Sequence, residues 1–267
     1  MTERFREAQG NDAQGREAQG REAQGREAQG RETDRRLSSA LAIRAQWGAA
    51  VDGVDILFED QRIIVVDKPP GLLSQPGRQI SDSLVERVRA ARPQASGPMM
   101  MHRLDMDTSG VVVLGKDADA HRELSRQFER RIIFKRYRAR LERVPQACGG
   151  RIALALRADV ENRPMQKVNL VDGRPSLTLW RRIDSDSCEV IFHPLSGRTH
   201  QLRVHAADRR GLNNPIVGDR LYGTSSKRLM LHAESIGFRH PSTGLLTICT
   251  SPVNFDQSDA SGTLQAP

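Results

Sequence analysis

The amino-acid sequence predicts an α+β fold, because short strands outnumber helices and do not alternate regularly with them. Many short segments alternate apolar and polar residues, which is typical of half-buried strands, and only a few show helical spacing. The chain has 267 residues, enough to bury a core as one large domain or two small ones.

The elements follow from local patterns in chain order. Residues 55–67 are predicted to form two strands around a polar turn, and Lys68-Pro69-Pro70-Gly71 is predicted to end the second strand. Apolar residues at helical spacing predict helices over 83–91, 117–130 and 198–207. Apolar runs and alternation predict further strands over 111–114, 132–141, 177–183, 189–192, 229–238 and 245–249.

Both ends of the chain are predicted to lie outside the folded part. Arg-Glu-Ala-Gln-Gly recurs at 6–10, 16–20, 21–25 and 26–30, and each glycine costs a helix about 1 kcal/mol. This low-complexity segment has almost nothing apolar to bury. We therefore expect a disordered tail over 1–45, a folded domain over 46–255 and a frayed polar tail over 256–267.

Charge favours a polyanionic partner. Residues 1–36 hold eight arginines and eight acidic residues, so the net charge of +8 belongs to residues 37–267, where it attracts nucleic acid. Of the 41 basic residues only five are lysines, and arginine binds phosphates and stacks on bases, although genomic base composition produces the same bias.

Other classes of protein are disfavoured. No apolar run is long enough for a membrane span, and the polar N-terminus argues against a secretory signal. Three distant cysteines without CxxC spacing suit a reducing cytoplasm. No phosphate-binding glycine loop, GxSxG or HExxH motif is present, so neither a nucleotide cofactor nor a metal is predicted.

Three polar segments lie beside apolar strands and are candidates for chemistry. They are His102–Gly110, Phe134–Tyr137 and Ser196–His205. Each has a structural alternative: a capped turn, a tyrosine packed in a half-buried strand, and a solvated basic helix face.

Five motifs in order resemble the RluA-type family of RNA pseudouridine synthases. They are IIVVDKPPGLLSQPG, HRLDMDTSG, KRY, GRTHQLRVH and PIVGDRLYG, and the resemblance runs from about Asp55 to Pro252. LLSQPGR and NRPMQKV are most similar to the dual-specificity subgroup that acts on 23S rRNA and tRNA. The resemblance implies a mixed, mostly antiparallel central sheet in two halves, with flanking helices and a basic cleft.

The same resemblance implies an isomerase that converts uridine in structured RNA to pseudouridine without a cofactor or metal. The expected partner is RNA, through a tRNA anticodon stem-loop, a 23S rRNA hairpin loop or both. The expected protein is a cytoplasmic monomer. Two alternatives stay open, an enzyme for one rRNA uridine and an RNA-binding or chaperone protein without catalysis.

The resemblance also assigns roles to residues. Asp105 is the catalytic carboxylate, Arg203 is its charge partner, and Tyr137 stacks on the flipped base, with its hydroxyl a candidate for handling the C5 proton. Arginine suits this place because its planar fork binds a carboxylate through two bonds. Arg103, Arg198 and Gln201 are expected to contact RNA.

One segment departs from the family. Asp208–Asn214, ahead of Pro215, is about three residues longer than the loop usual in the family. We expect the insertion to reshape this loop without touching Asp105 or Arg203.

Overall fold

The computed structural model describes residues 51–77, 79–253 and 255. The two predicted tails, 1–45 and 256–267, lie outside these residues, as does the start of the predicted domain. No helix within the described ranges has the length and apolar character needed to cross a bilayer.

Strands dominate the described chain. In order, the elements are β1 (Asp55–Glu59), β2 (Ile63–Lys68), α1 (Leu84–Ala91), β3 (Ser109–Gly115), α2 (Ala118–Glu129), β4 (Phe134–Arg140), β5 (Gly149–Ala158), β6 (Gln166–Val168), β7 (Arg174–Arg182), β8 (Glu189–Pro194), α3 (Gln201–Ala207), β9 (Leu231–Arg239) and β10 (Leu246–Thr250).

The described strands form one mixed sheet in the order β1-β2-β3-β9-β4-β8-β7-β5-β6, with β10 also paired to β9. Neighbouring strands run antiparallel except β3 and β9, which pair in parallel over two residues. β9 therefore joins a half built on β1, β2 and β3 to a half that runs from β4 to β6. The predicted α+β class and its mostly antiparallel sheet are confirmed.

Alternation along β2 explains how the first half is packed. Ile64 and Val66 belong to the apolar cluster that contains α1, whereas Ile63 and Val65 belong to the cluster that contains α2. Because both faces of β2 are covered, all four side chains are fully buried and the strand reads as a continuous apolar run. The second half has its own core, in which α3 packs on the sheet through residues such as Leu202.

Helix starts follow their caps. Ser83 Oγ accepts a hydrogen bond from the Glu86 amide at the start of α1, and Asp117 caps α2 in the same way. The helix predicted over 198–207 is shorter in the structure, because His200 has left-handed backbone (φ 52) and α3 begins only at Gln201.

The sequence patterns missed β5 and β6. Ile152, Leu154 and Leu156 are buried at alternate positions of β5, as expected of a strand with one face on a core. Glycines at its start and alanines between the apolar positions weaken this alternation, because both residue types are poor strand formers.

Gly110, where β3 meets β9, should be intolerant of any side chain. Its φ is +116, and an added Cβ would lie 2.3 Å from the Ala233 carbonyl oxygen. We expect Gly110→Ala to lower the free energy of unfolding by about 3 kcal/mol or more, through backbone strain and the clash together. Urea unfolding followed by circular dichroism measures this change.

Gly71→Ala is the matched control for Gly110→Ala. Gly71 also has positive φ (+84), but an added Cβ would meet no atom within 4 Å. We expect it to cost only the strain, about 1 kcal/mol. Equal losses in the two variants would show that close contact with β9 does not matter.

Candidate active site

A cavity of about 210 Å³, here called the site cavity, opens where the two halves of the sheet meet. The loop before β3, strand β4, the loop after β8 and the start of α3 contribute to its walls. All the residues predicted for the site line it: Arg103, Asp105, Tyr137, Arg198, Gln201 and Arg203. The fold thus brings together side chains that are nearly 100 residues apart in the sequence.

Asp105 lies on a loop that hydrogen bonds hold in place. The Thr108 amide donates to the Asp105 carbonyl (3.1 Å). Next to it, the buried Lys68 ammonium donates to the carbonyls of Met106 (3.0 Å), Leu72 (2.8 Å) and Pro69 (2.9 Å). Burial lowers the pKa of Lys68 to about 8, against the opposing effect of nearby carboxylates, of which Asp105 is the strongest. Lys68 therefore holds the loop and the carboxylate in place.

Arg203 lies between two carboxylates, Asp105 and Asp219. The two-bond fork of its guanidinium binds Asp219, through Nε–Oδ2 (2.8 Å) and Nη2–Oδ1 (2.7 Å). The remaining nitrogen, Nη1, faces Asp105 Oδ2 at 3.9 Å. Arg203 thus adjoins Asp105 as an ion pair, and its bidentate partner is a second carboxylate.

Burial distinguishes the two carboxylates. The side chain of Asp219 is 0% exposed and that of Arg203 is 2% exposed, whereas Asp105 is 22% exposed and faces the cavity. Burial alone would lower the pKa of Arg203, but the hydrogen bonds and charge of Asp219, together with the charge of Asp105, raise it. Arg203 is therefore a permanent cation held on one side and open to Asp105 on the other.

Tyr222 packs against the guanidinium of Arg203. The Arg203 guanidinium lies over its ring, 5.3 Å from the centroid. The Tyr222 hydroxyl accepts a hydrogen bond from the Gln166 amide (2.7 Å) and lies 2.8 Å from His200 Nδ1. One side chain thereby connects α3, β6 and the turn that carries Asp219.

Tyr137 occupies the floor of the cavity and packs against the cores of both halves. Burial, and secondarily the negative charge of Asp105, raises its pKa well above the ordinary value. The phenol is therefore neutral near pH 7, which suits a ring that stacks on a base.

The three predicted RNA-contact residues differ in their surroundings. Arg103 is exposed, with one long hydrogen bond to Thr199 Oγ1 (3.4 Å), and Arg198 Nε donates to the Pro175 carbonyl (3.3 Å). Gln201 is buried, and all its polar atoms bind protein groups: the Ser196 hydroxyl, the Arg198 amide, the Leu177 carbonyl and the Thr178 hydroxyl. These bonds hold the loop after β8, and the contact of Gln201 with RNA stays a prediction.

Sequence reasoning missed several residues of the site. Asp219 and Tyr222 belong to the motif PIVGDRLYG, and Lys68 belongs to the motif IIVVDKPPGLLSQPG, but the sequence patterns assign them no role. A buried arginine needs a carboxylate, and this requirement was the available signal for Asp219. The insertion Asp208–Asn214 follows α3, and none of its residues lines the site cavity.

Comparisons with known proteins identify the family of the chain. A family model for RNA pseudouridylate synthases matches residues 62–208. The dual-specificity RNA pseudouridine synthase RluA of Escherichia coli strain K12 is 40% identical over 210 residues, covering 75% of this chain and 93% of that protein. RluA of Vibrio parahaemolyticus is 41% identical over 215 residues, covering 75% and 84%.

A solved structure is also similar. Human RNA pseudouridylate synthase domain containing 1 superposes with a TM-score of 0.63 at 28% identity, covering 77% of this chain and 86% of that one. Sequence and fold thus agree, and the chain belongs to the RluA-type family of RNA pseudouridylate synthases.

Proposed function

We propose that this enzyme converts uridines in a tRNA anticodon stem-loop, a 23S rRNA hairpin loop or both to pseudouridine, with Asp105 as the catalytic carboxylate. One observation carries the proposal: a partly exposed carboxylate faces a buried, permanently charged guanidinium at 3.9 Å, in a cavity floored by a tyrosine. The dual specificity in the names of the RluA relatives supports the choice of RNA. We further propose that residues 46–255 form the catalytic domain and that the protein acts as a cytoplasmic monomer.

The reaction conserves atoms and electrons. The bond between N1 and the ribose C1′ breaks, a bond between C5 and C1′ forms, and the C5 proton is exchanged for a proton at N1. Because nothing is added or removed, the step needs no second substrate. It does need an anionic oxygen beside the ribose and base, and Asp105 supplies one that reaches the cavity.

The uridine has to leave its stack before it reaches Asp105. Flipping costs a few kcal/mol, and less in a loop than in a duplex, so a hairpin loop is the favoured target. Stacking of the uracil on Tyr137 is worth about 1–3 kcal/mol and offsets much of that cost. Arg103 and Arg198, at the mouth of the cavity, supply charge for the adjoining phosphates.

Tritium release tests the proposed activity. RNA carrying 5-tritiated uridine loses its label to water only when the C5 bond is exchanged, so release reports the isomerisation directly. We expect release from anticodon stem-loop RNA, 23S hairpin RNA or both. RNA binding without release from either substrate would contradict catalysis and favour the RNA-binding alternative.

Tyr137→Phe should separate stacking from proton handling. The ring is retained, so we expect RNA affinity to change less than about twofold, whereas loss of the neutral hydroxyl should slow tritium release about 10²-fold. Single-turnover release and filter binding measure the two quantities. A rate equal to wild type would remove the hydroxyl from the chemistry and leave Tyr137 as a stacking platform.

A further inference from the structure

A second cavity, of about 410 Å³, adjoins the site cavity and is here called the flanking cavity. The end of α2, the turn that leads into β4, and the loop after β8 surround it. The two cavities share one wall, made of Arg103, Lys135, Tyr137, Ser196, Gly197 and Arg198. A strand that places one nucleotide in the site cavity can therefore continue into the flanking cavity.

The flanking cavity is strongly positive. Four of its lining residues are cations, Arg103, Arg131, Lys135 and Arg198, and its one acidic residue is Glu129. Within the described residues neither Arg131 nor Arg198 forms an ion pair with a carboxylate. Such a cluster repels itself unless an anion joins it.

Lys135 is the most constrained of these cations. Its ammonium donates to the Ser196 carbonyl (3.0 Å). Burial, and next the charge of Arg131, lowers its pKa to about 8. A phosphate between Lys135 and Arg131 would stabilise the charged ammonium and so counteract the lowering of its pKa.

Part of the lining of the flanking cavity is apolar and aromatic. Phe128 stacks on His102 with ring centroids 4.6 Å apart, and Ile133, which also lines the cavity, is largely buried. Leu195, at its mouth, is 47% exposed. Burial lowers the pKa of His102 to about 3, so this ring is neutral and belongs to the apolar part of the lining. Flat apolar surface beside fixed cations suits a nucleobase joined to its phosphate.

The spacing along β4 agrees with consecutive nucleotides. Lys135 and Tyr137 are two residues apart on one strand, so they point to the same face and are separated by about 6.8 Å along it. Lys135 is therefore within reach of the phosphate next to a base that stacks on Tyr137.

We propose that the flanking cavity is a second nucleotide subsite, which binds the nucleotide adjoining the target uridine on the same RNA strand. Arg131 and Lys135 bind the connecting phosphate, and the base packs against Phe128, Ile133 and Leu195. The proposal rests on the proposed function of the site cavity. It makes the neighbour of the target uridine a determinant of which uridine is chosen.

Short oligonucleotides test the subsite without any turnover. The probes are uridine, the dinucleotide UpU, and a UpU analogue in which one of the two nucleotides is an abasic ribose. The analogue keeps the connecting phosphate but lacks the second base, and each probe is titrated by NMR. We expect wild-type protein to bind UpU about tenfold more tightly than uridine, and the abasic dinucleotide at an intermediate affinity.

Two substitutions divide the subsite into its parts. Arg131→Asn removes the charge, and asparagine tolerates the left-handed backbone of that position (φ 57). We expect it to weaken UpU about fivefold and leave uridine unchanged. Leu195→Ser should weaken UpU but not the abasic dinucleotide. Arg130→Asn is the matched control, because Arg130 is exposed, adjoins Arg131 and lines neither cavity.

Two results would overturn the subsite: wild-type protein that binds UpU no better than uridine, or an Arg131→Asn effect no larger than that of Arg130→Asn. Tritium release from stem-loop RNA by the same wild-type preparation reports separately on the proposed function. Release without a UpU gain rejects the subsite alone, and a UpU gain without release rejects only the proposed chemistry.

Discussion

Asp105→Asn is expected to lower the rate of tritium release by about 10⁴-fold or more, while RNA still binds. The amide has the shape of the carboxylate but no charge, so it neither attacks nor accepts a proton. Its neighbour Arg203 keeps both bonds to Asp219, so the frame of the site should survive the change. Single-turnover tritium release and filter binding measure the two effects on one preparation.

Asp107→Asn is the matched control for this prediction. Asp107 lies two residues further on, with a side chain of similar exposure (21%), and pairs with the half-exposed Arg220 at 3.1 Å. Since such pairs contribute little, we expect activity within about threefold of wild type. Comparable losses in the two variants would mean that negative charge near the loop matters, and that Asp105 has no special role.

The order of the strands could be only partly predicted, because sequence patterns report burial and not neighbours. Alternation in β4 and β9 indicated strands, but nothing local shows that β9 joins the two halves through a two-residue parallel contact with β3. The signal for that contact was Gly110 within HRLDMDTSG, where the absence of a side chain allows the Ala233 carbonyl to approach.

The candidate site shows the same limit at the level of side chains. Ordered motifs identified Asp105, Tyr137 and Arg203, and the structure places all three in one cavity. The resemblance made Gln201 an expected RNA contact, but nothing in the linear motif showed that its amide also binds the protein's own backbone. Which polar residue faces solvent depends on long-range packing, and this is decided by contacts that a linear pattern does not contain.

The partner of Arg203 is the clearest example of such a contact. Asp219 is 16 residues away, across α3, the inserted loop and a turn. Its Oδ1 also accepts hydrogen bonds from the amides of Leu221 (3.0 Å) and Tyr222 (3.2 Å). The carboxylate therefore fixes the turn and the guanidinium together, so that the position of Arg203 beside Asp105 depends on a residue that does not line the cavity.

Asp219→Asn should consequently damage both stability and turnover. The amide still accepts from the turn amides, but its NH₂ group faces the donors of Arg203 and leaves a buried cation short of a partner. Breaking a buried pair in this way costs about 3–5 kcal/mol of unfolding free energy. Because Arg203 also loses its fixed position against Asp105, we expect kcat of the folded fraction to fall about 10²-fold, with a smaller change in KM. Urea unfolding and tritium release measure the two effects.

Asp82→Asn shows what the same bond geometry contributes at the surface. Asp82 binds Arg87 through two bonds of 2.8 Å and 2.7 Å, as Asp219 binds Arg203, but its side chain is 55% exposed. Water solvates both partners when this pair breaks, so we expect a much smaller loss of unfolding free energy than for Asp219→Asn, and unchanged kcat. If Asp219→Asn cost as little and kept its kcat, the buried fork would not be what holds Arg203 against Asp105. A loss of stability with unchanged kcat would make Asp219 purely structural. If Asp219 couples the turn, the Arg203 guanidinium and the Asp105 carboxylate, both the free energy of unfolding and kcat must fall.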